Sequence, residues 1–254
     1  MTILLPAMLD RQRDAWWALL DLHDRMPTGW VLVGGQMVHL LCAERGVPPT
    51  RPTDDADTGI DVRADPRALE TFTAALQAMG FEPDGTTWQG HQHRWVKGDI
   101  QLDVLIPRGL RPESRARRTV TGATTVESPG VQQAVDRAED VAVSVMGRDG
   151  TVRRPTLLGA LVAKAAAMEV VIDDGRSRHI HDFATLATLV HPSDAFGTVT
   201  KADRTRLDNM LGHLVHDPSW KSIDSAIDGV ERLRLALQDD APARPARRRP
   251  TWEP

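Results

Sequence analysis

The sequence predicts a mixed α/β fold, of the α/β (α+β) class, followed by a helical lobe. Up to about residue 150, short apolar runs bounded by glycine, typical of buried strands, alternate with amphipathic helical segments. After Pro155 the apolar residues recur at helical spacing only. The chain has 254 residues, 41% of them hydrophobic, which is enough for one large core or two smaller ones. We therefore expect an α/β lobe at 1–150, a helical lobe at 151–240 and a ligand cleft between them.

The first half is punctuated by glycine and proline, which set the boundaries of its elements. The run Trp30-Val31-Leu32-Val33 predicts a buried strand, and Gly34-Gly35 separate it from a helix that begins near Gln36. The other elements expected here are helices at 7–26 and 66–79, strands at 55–62, 90–96 and 100–106, and short β-like pieces within 108–154, among them 141–145.

The second half reads as a series of helices. Pro155 opens a nearly all-apolar helix that runs to about residue 172. Further helices are expected at about 178–190, 201–215 and 219–238. The last segment, 241–254, is rich in proline and arginine, has little to bury, and is expected to be a disordered tail.

Composition excludes several classes of protein. The formal net charge of −4, with 26% charged residues, does not mark a nucleic-acid binder by bulk charge. A single cysteine, Cys42, excludes an intrachain disulfide framework and a cysteine-cluster zinc site. Neither a signal peptide nor an apolar run of the roughly 18 residues that a membrane helix needs is recognisable. We expect a cytoplasmic protein with no membrane partner.

Gly34 and Gly35 lie between a strand and a helix, where they favour an anion site. The backbone N–H groups of a helix N-terminus attract phosphate, and glycine allows a close approach of the ligand. The alternative explanation is a tight turn without a ligand.

Three aspartates suggest a metal site. Asp55 and Asp57 are two residues apart on an expected strand, so their carboxylates project to the same face and can bind one or two Mg²⁺ ions. Asp103 is flanked by Leu102 and Val104, and a carboxylate in an apolar strand is costly unless it is solvated or neutralised. Three carboxylates on neighbouring strands would suit metal-assisted phosphoryl or nucleotidyl transfer. The alternative is a solvated acidic edge.

Two charged residues of the helical half lie on apolar helix faces. Lys164 is the only charge between Leu157 and Met168, and Asp182 precedes Leu186 by one turn. Lys164 could bind a triphosphate, and Asp182 could orient the lysine or act as a base toward an incoming hydroxyl. The alternatives are a lysine that extends to solvent and an aspartate stabilised by a helix dipole.

These elements, in this order, resemble the AbiEii family of nucleotidyltransferases, the toxins of type IV toxin–antitoxin and abortive-infection systems, including the mycobacterial MenT toxins. The shared pattern is a Gly-Gly turn, an Arg-x-Thr-x-Asp-x-Asp run, a helical lysine and an aspartate on the next helix. Here it spans residues 34–182, and the run is Arg51-Pro52-Thr53-Asp54-Asp55-Ala56-Asp57. The run is the most specific part of the resemblance. Gln36 departs from the Ser, Thr or Ala of many relatives.

The resemblance implies a polymerase-β-like nucleotidyltransferase fold with a mixed sheet and a helical C-terminal lobe. It implies a Mg²⁺-dependent enzyme that uses a nucleoside triphosphate, adds nucleotides to the 3′ end of tRNA, blocks translation and has a possible cognate antitoxin. The resemblance implies metal binding by Asp55 and Asp57 and phosphate contacts from Gly34, Gly35 and Gln36. It implies that Arg51 and Thr53 belong to the cofactor-binding residues and shape the loop that presents the carboxylates. It also implies a triphosphate contact from Lys164 and catalytic assistance from Asp182.

Other interpretations stay open at this level. The same core would serve a nucleotidyltransferase that modifies a small molecule such as an aminoglycoside, or a catalytically silent binding module. An arginine-rich loop favours RNA as the acceptor, and the alternative is a solvated loop without a ligand. Its arginines are Arg108, Arg111, Arg115, Arg117 and Arg118. The pair His91 and His93 has no further ligand nearby in sequence and is interpreted as the polar face of a strand.

Overall fold

The computed structural model of the chain describes residues 2–115, 117–169, 176–194, 196 and 198–239. The strands are β1 (Ile3–Leu4), β2 (Trp30–Val33), β3 (Ala56–Ile60), β4 (Glu82–Pro83), β5 (Arg94–Lys97), β6 (Ile100–Pro107), β7 (Val126–Ser128), β8 (Ala138–Val145) and β9 (Arg148–Pro155). The helices are α1 (Asp10–Arg25), α2 (Gly34–Glu44), α3 (Ala68–Ala78), α4 (Pro112–Arg115), α5 (Val131–Val135), α6 (Leu157–Ala167), α7 (Arg176–Thr188), α8 (Lys201–His216), α9 (Ala226–Asp239) and the 3-10 turn Pro218–Ser222.

The larger sheet is mixed, which confirms the expected α/β class. Its strands lie in the order β2-β3-β6-β5-β4, and β7 also pairs with β6. β3 runs parallel to β6, while β2 and β5 are antiparallel to their respective neighbours β3 and β6. The β3–β6 register places Asp57 beside Asp103. The sheet thus brings together two carboxylates that are far apart in sequence.

A second sheet has the order β1-β8-β9. Met146 and Gly147, both at positive φ, join β8 to β9 in the tight turn typical of a hairpin. The sequence reading recognised only 141–145 of this hairpin, because β9 is charged and has few apolar residues. Pro155, expected to open a helix, is instead the last residue of β9. The helix begins at Leu157, where the side chain of Thr156 accepts a hydrogen bond from the Gly159 N–H.

Helix α6 forms the centre of the core. All of its residues from Leu157 to Ala166 are buried, as expected for a helix that is apolar on every side. It packs against α5, α7 and α8, and one continuous hydrophobic cluster extends from Ile3 to Leu237. Residue 150, where the sequence placed a lobe boundary, lies within β9. The division into two lobes remains a prediction.

The C-terminal helices follow the predicted order with one correction. The single helix expected at 219–238 is a 3-10 turn followed by α9, and Ser225, at φ 60, separates them. Residues 170–172 of the expected long helix and the tail 241–254 lie outside the described residues. Among the helices described, none combines the length and apolar character needed to cross a membrane.

Candidate functional site

Three carboxylates converge at one edge of the β3–β6 pair. Asp55 immediately precedes β3, Asp57 lies on β3, and Asp103 lies beside it on β6. One carboxylate oxygen from each of the three lies within 4.8 Å of the others. Oxygen donors with this charge and spacing suit a hard divalent cation. Asp55, Asp57 and Asp103 thus fit the metal site expected from the sequence.

The electrostatics of this cluster also fit a cation. Burial raises the pKa of Asp57 to about 7, and the neighbouring charges of Asp55 and Asp103 add to the effect, while Lys164 and Arg51 oppose it. Like charges held this close destabilise one another, and a divalent ion between them would relieve the repulsion. The charge of Asp57 therefore depends on a neighbouring cation.

Arg94 is a component of the site that the sequence reading missed. It lies opposite Asp103 on β5, and its Nε and Nη2 donate to the two carboxylate oxygens of Asp103 at 3.1 and 3.2 Å. Asp103 is buried, whereas 38% of the Arg94 side chain is exposed. A cation that uses Asp103 as a ligand must therefore compete with Arg94 for this carboxylate. Only the strand register, which the sequence does not give, reveals the pair.

Gly34 and Gly35 let the N-terminus of α2 approach the acidic cluster. Gly34 has a φ of +68, and a Cβ there would lie 1.7 Å from Oδ2 of Asp57. A Cβ on Gly35 would lie 2.5 Å from Oγ1 of Thr53. The two glycines are required by this packing, and the first N–H groups of α2, which have no partner within the helix, begin beside the carboxylates.

Thr53 fixes the loop that presents Asp55. Its Oγ1 donates to Oδ1 of Asp55 at 3.0 Å, and its carbonyl oxygen accepts from Nε2 of Gln12 and of Gln36 at 2.9 and 3.2 Å. The Gln36 side chain is 2% exposed and lies beneath this loop, so only its backbone N–H remains a candidate for phosphate. Asp54 pairs with Arg11 instead, which places Asp55 in the cluster.

Asp182 joins the loop to the helical half through two cations. Arg51 donates from Nε and Nη2 to Oδ1 and Oδ2 of Asp182 at 2.7 and 2.8 Å, and Nζ of Lys164 lies 2.7 Å from Oδ2. Burial raises the pKa of Asp182, but Lys164 and Arg51 outweigh it, and the pKa is lowered overall. Asp182 lies in the middle of α7, away from the helix N-terminus. A carboxylate held in this way orients Lys164 and Arg51 and is a weak base.

A cavity of about 190 Å³ connects these elements. It is lined by Gly34, Asp57, Lys164, His179 and the segment Ser128–Val131, together with apolar side chains from β2, β6 and α6. His179 was not selected from the sequence, although it lies one turn before Asp182 on the same helix. Gly34, Lys164 and one of the three predicted metal ligands, Asp57, therefore share one cavity.

The remaining sequence candidates lie elsewhere. Nδ1 of His91 is 2.8 Å from Oγ1 of Thr124, and in the described part of the chain neither His91 nor His93 belongs to a metal-type cluster. Arg108, Arg111 and Arg118 are exposed and Arg117 is half-buried, while the side chain of Arg115 lies outside the described residues.

No protein-family profile and no curated protein sequence matches the chain. The fold is similar to that of the antibiotic-resistance factor ANT(2'')-Ia, with 13% identity, a TM-score of 0.45, and coverage of 82% of this chain and 96% of that one. It is also similar to an antigenic nucleotidyltransferase-like protein from Paracoccidioides brasiliensis, with 17% identity, a TM-score of 0.48, and coverage of 87% and 94%. The function proposed below rests on the geometry of the site rather than on these similarities.

Proposed function

We propose that the chain is a Mg²⁺-dependent nucleotidyltransferase. The observation that carries this proposal is one cavity lined by Asp57 of the three-carboxylate cluster, by Gly34 at the N-terminus of α2 and by the buried Lys164. Carboxylates that can hold a cation, beside backbone N–H groups and an ammonium that can hold phosphate, match the needs of a nucleoside triphosphate.

Each group has a distinct task in this proposal. Asp55 and Asp57 would hold Mg²⁺, and Asp103 would join them when Arg94 is displaced. The ion would supply charge neutralisation for the triphosphate oxygens. The first N–H groups of α2 and the ammonium of Lys164 would bind the phosphates. Asp182 would keep Lys164 in position.

The acceptor we propose is the 3′ end of tRNA, as in a toxin that blocks translation in the cytoplasm. Support comes from exposed arginines next to the cavity. The N–H of Arg108 donates to the carbonyl of Ser128 at 3.3 Å, and Ser128 lines the cavity. Arg111 and Arg118, which precede and follow helix α4, are exposed to solvent and could contact a phosphate backbone.

The test is transfer of label from α-³²P-labelled nucleoside triphosphates to total tRNA in the presence of Mg²⁺. We expect labelled tRNA with the wild type and a loss of at least about 100-fold for Asp55→Ala, since a metal ligand is removed. Asp54→Asn is the matched control, because the adjacent Asp54 lies outside the cluster and an asparagine keeps an oxygen that can accept from Gln12. Equal labelling by wild type and Asp55→Ala would contradict the site assignment.

The same assay distinguishes the acceptors. An aminoglycoside labelled in place of tRNA would move the proposal to small-molecule modification. Absence of Mg²⁺-dependent nucleotide binding in calorimetry would instead indicate a silent binding module. Growth arrest on induced expression of wild type, but not of Asp55→Ala, would support a toxin, and rescue by a neighbouring reading frame would identify its antitoxin.

A further inference from the structure

A second cavity lies on the other side of helix α2. Its volume is about 530 Å³, within the range of small-molecule sites. Gln36, His39 and Ala43 line it from one face of α2, whereas Gly34 and Met37 face the cavity beside Lys164. The cavity is therefore separate from the candidate active site but shares a helix with it.

The lining of this cavity is apolar and uncharged. Its walls come from the N-terminal segment 4–8, Trp16 of α1 and the loop 46–49, and among the described residues that line it none carries a carboxylate, ammonium or guanidinium group. Burial lowers the pKa of His39 below its usual 6.5 and outweighs the raising effects of the hydrogen bond to the Arg51 carbonyl and of Asp182, which favours the neutral imidazole. A charged ligand would find no opposite charge here, whereas a neutral, mainly apolar one loses little on entering.

The polar atoms of the cavity define which hydrogen bonds a ligand can form. Nε2 of His39 lies 2.7 Å from the carbonyl oxygen of Arg51, which can only accept, so Nε2 donates and Nδ1 is left as an acceptor. Gln36 donates through Nε2 to Thr53, and its Oε1 accepts no hydrogen bond from any residue that the structure describes. Both positions call for a ligand with an N–H or O–H donor.

The same polar side chains hold the loop of the candidate active site. Gln12 and Gln36 both donate to the carbonyl of Thr53, and His39 donates to the carbonyl of Arg51. Thr53 in turn donates to Asp55. A ligand that fixes Gln36 and His39 therefore acts on the backbone that presents Asp55.

We propose that this cavity is a regulatory binding site for an uncharged, mainly apolar small molecule with a hydrogen-bond donor, coupled to the acidic cluster through Gln36, His39 and Thr53. Occupancy restricts the loop between Arg51 and Asp55 and thereby improves cation binding. Binding itself is independent of the proposed catalytic function; the coupling rests on the metal site in that proposal.

Binding is tested by titrating indole into the full chain and monitoring the protein by NMR. Indole is neutral, planar and carries one N–H donor, while 1-methylindole has the same ring without the donor. We expect indole to bind with a millimolar Kd and 1-methylindole about fivefold more weakly, the ratio that one lost hydrogen bond gives. Failure of indole to bind, or equal binding of the two probes, would overturn the proposal.

Two variants locate the probe. Ala43→Phe fills the cavity from α2, and Val47→Phe fills it from the loop, a second position that covers the case in which the first variant does not fold. Indole should lose at least about tenfold in affinity for a folded variant, since its volume is taken. Unchanged indole affinity in either folded variant would place the probe elsewhere and refute the assignment.

Coupling is measured as the affinity for Mn²⁺ with and without saturating indole. We expect about a threefold gain in Mn²⁺ affinity and, by reciprocity, the same gain in indole affinity with Mn²⁺. No change in either affinity would refute the regulatory link. Asp55→Ala should still bind indole at wild-type affinity, so failure of the proposed metal site and failure of this cavity give different results.

Discussion

Replacement of Asp182 by Asn is expected to destabilise the protein more than replacement of Lys164 by Met. Asp182 is the common partner of two cations, and only 3% of its side chain and 7% of the Lys164 side chain are exposed. In Asp182→Asn the ammonium of Lys164 stays buried without its counter-ion. In Lys164→Met the carboxylate keeps both hydrogen bonds from Arg51.

The magnitudes follow from these contacts. Loss of one partner of a buried ion pair costs about 3–5 kcal/mol when an uncompensated charge remains, and we expect about 3 kcal/mol for Asp182→Asn because Arg51 is partly exposed and can relax. For Lys164→Met we expect about 1 kcal/mol, since one charged hydrogen bond is lost but the desolvated ammonium is removed as well. The difference between the variants is therefore about 2 kcal/mol.

Urea unfolding at pH 7 measures both free energies of unfolding, and circular dichroism checks that the folds are retained. The lowered pKa of Asp182 means that its charge stabilises the fold above the unfolded value of 3.8, and the stabilisation is lost as pH falls through the lower folded pKa. The deficit of Asp182→Asn should thus be constant from pH 6 to 8 and shrink only in acid. Equal or greater destabilisation by Lys164→Met would refute the reasoning.

Three further predictions concern the acidic cluster. Because the pKa of Asp57 is raised from 3.8 to about 7, the metal-free wild type loses stability as pH rises through that window. Asp57→Asn should be about 2 kcal/mol more stable at pH 8, half the full linkage value because Asp57 is only half-buried by its accessible surface. Equal urea midpoints would count against this. Gly34→Ala should reduce Mg²⁺ affinity at least about tenfold because its Cβ would collide with Asp57. The control is Gly46→Ala, at φ +66 in open space, which should only destabilise the protein by about 1 kcal/mol. Normal Mg²⁺ affinity of Gly34→Ala in calorimetry would disprove the close approach. Arg94→Met should bind Mn²⁺ about threefold more tightly by freeing Asp103, and a gain that survives in the Arg94→Met, Asp103→Asn double variant would exclude this explanation.

The sequence predicts those parts of the fold that have a strong local pattern. The apolar run before Gly34 and the all-apolar stretch after Leu157 indicate β2 and α6 because each is buried on all sides. The same pattern does not predict β9, because Arg148, Arg153 and Arg154 interrupt its apolar residues. Arg154 is buried nonetheless, paired with Glu44 and Glu139, and those partners come from tertiary structure.

The residues of the candidate site can be predicted from the sequence only in part. The two-residue spacing on a strand selects Asp55 and Asp57, and the position of Lys164 on an apolar helix face selects it as a charge that needs a partner. The partners themselves depend on strand register and helix packing. Neither the Arg94–Asp103 pair nor the Arg51–Asp182 pair can be read from spacing. The burial of Gln36, which leaves its backbone N–H as the candidate for phosphate, also depends on tertiary packing.

The separate binding of Asp54 by helix α1 has a consequence for insertions and deletions. Two identical side chains stand next to each other, and a slip of one residue would exchange them at the metal position. Arg11 and Gln12 anchor Asp54 from outside the cluster. Helix α1 therefore fixes the position of a loop that lies about 40 residues later in the chain. A one-residue deletion between Pro52 and Asp54 keeps all three carboxylates of the cluster but shifts them relative to helix α1. The length of the loop should therefore be under stricter constraint than its individual residues.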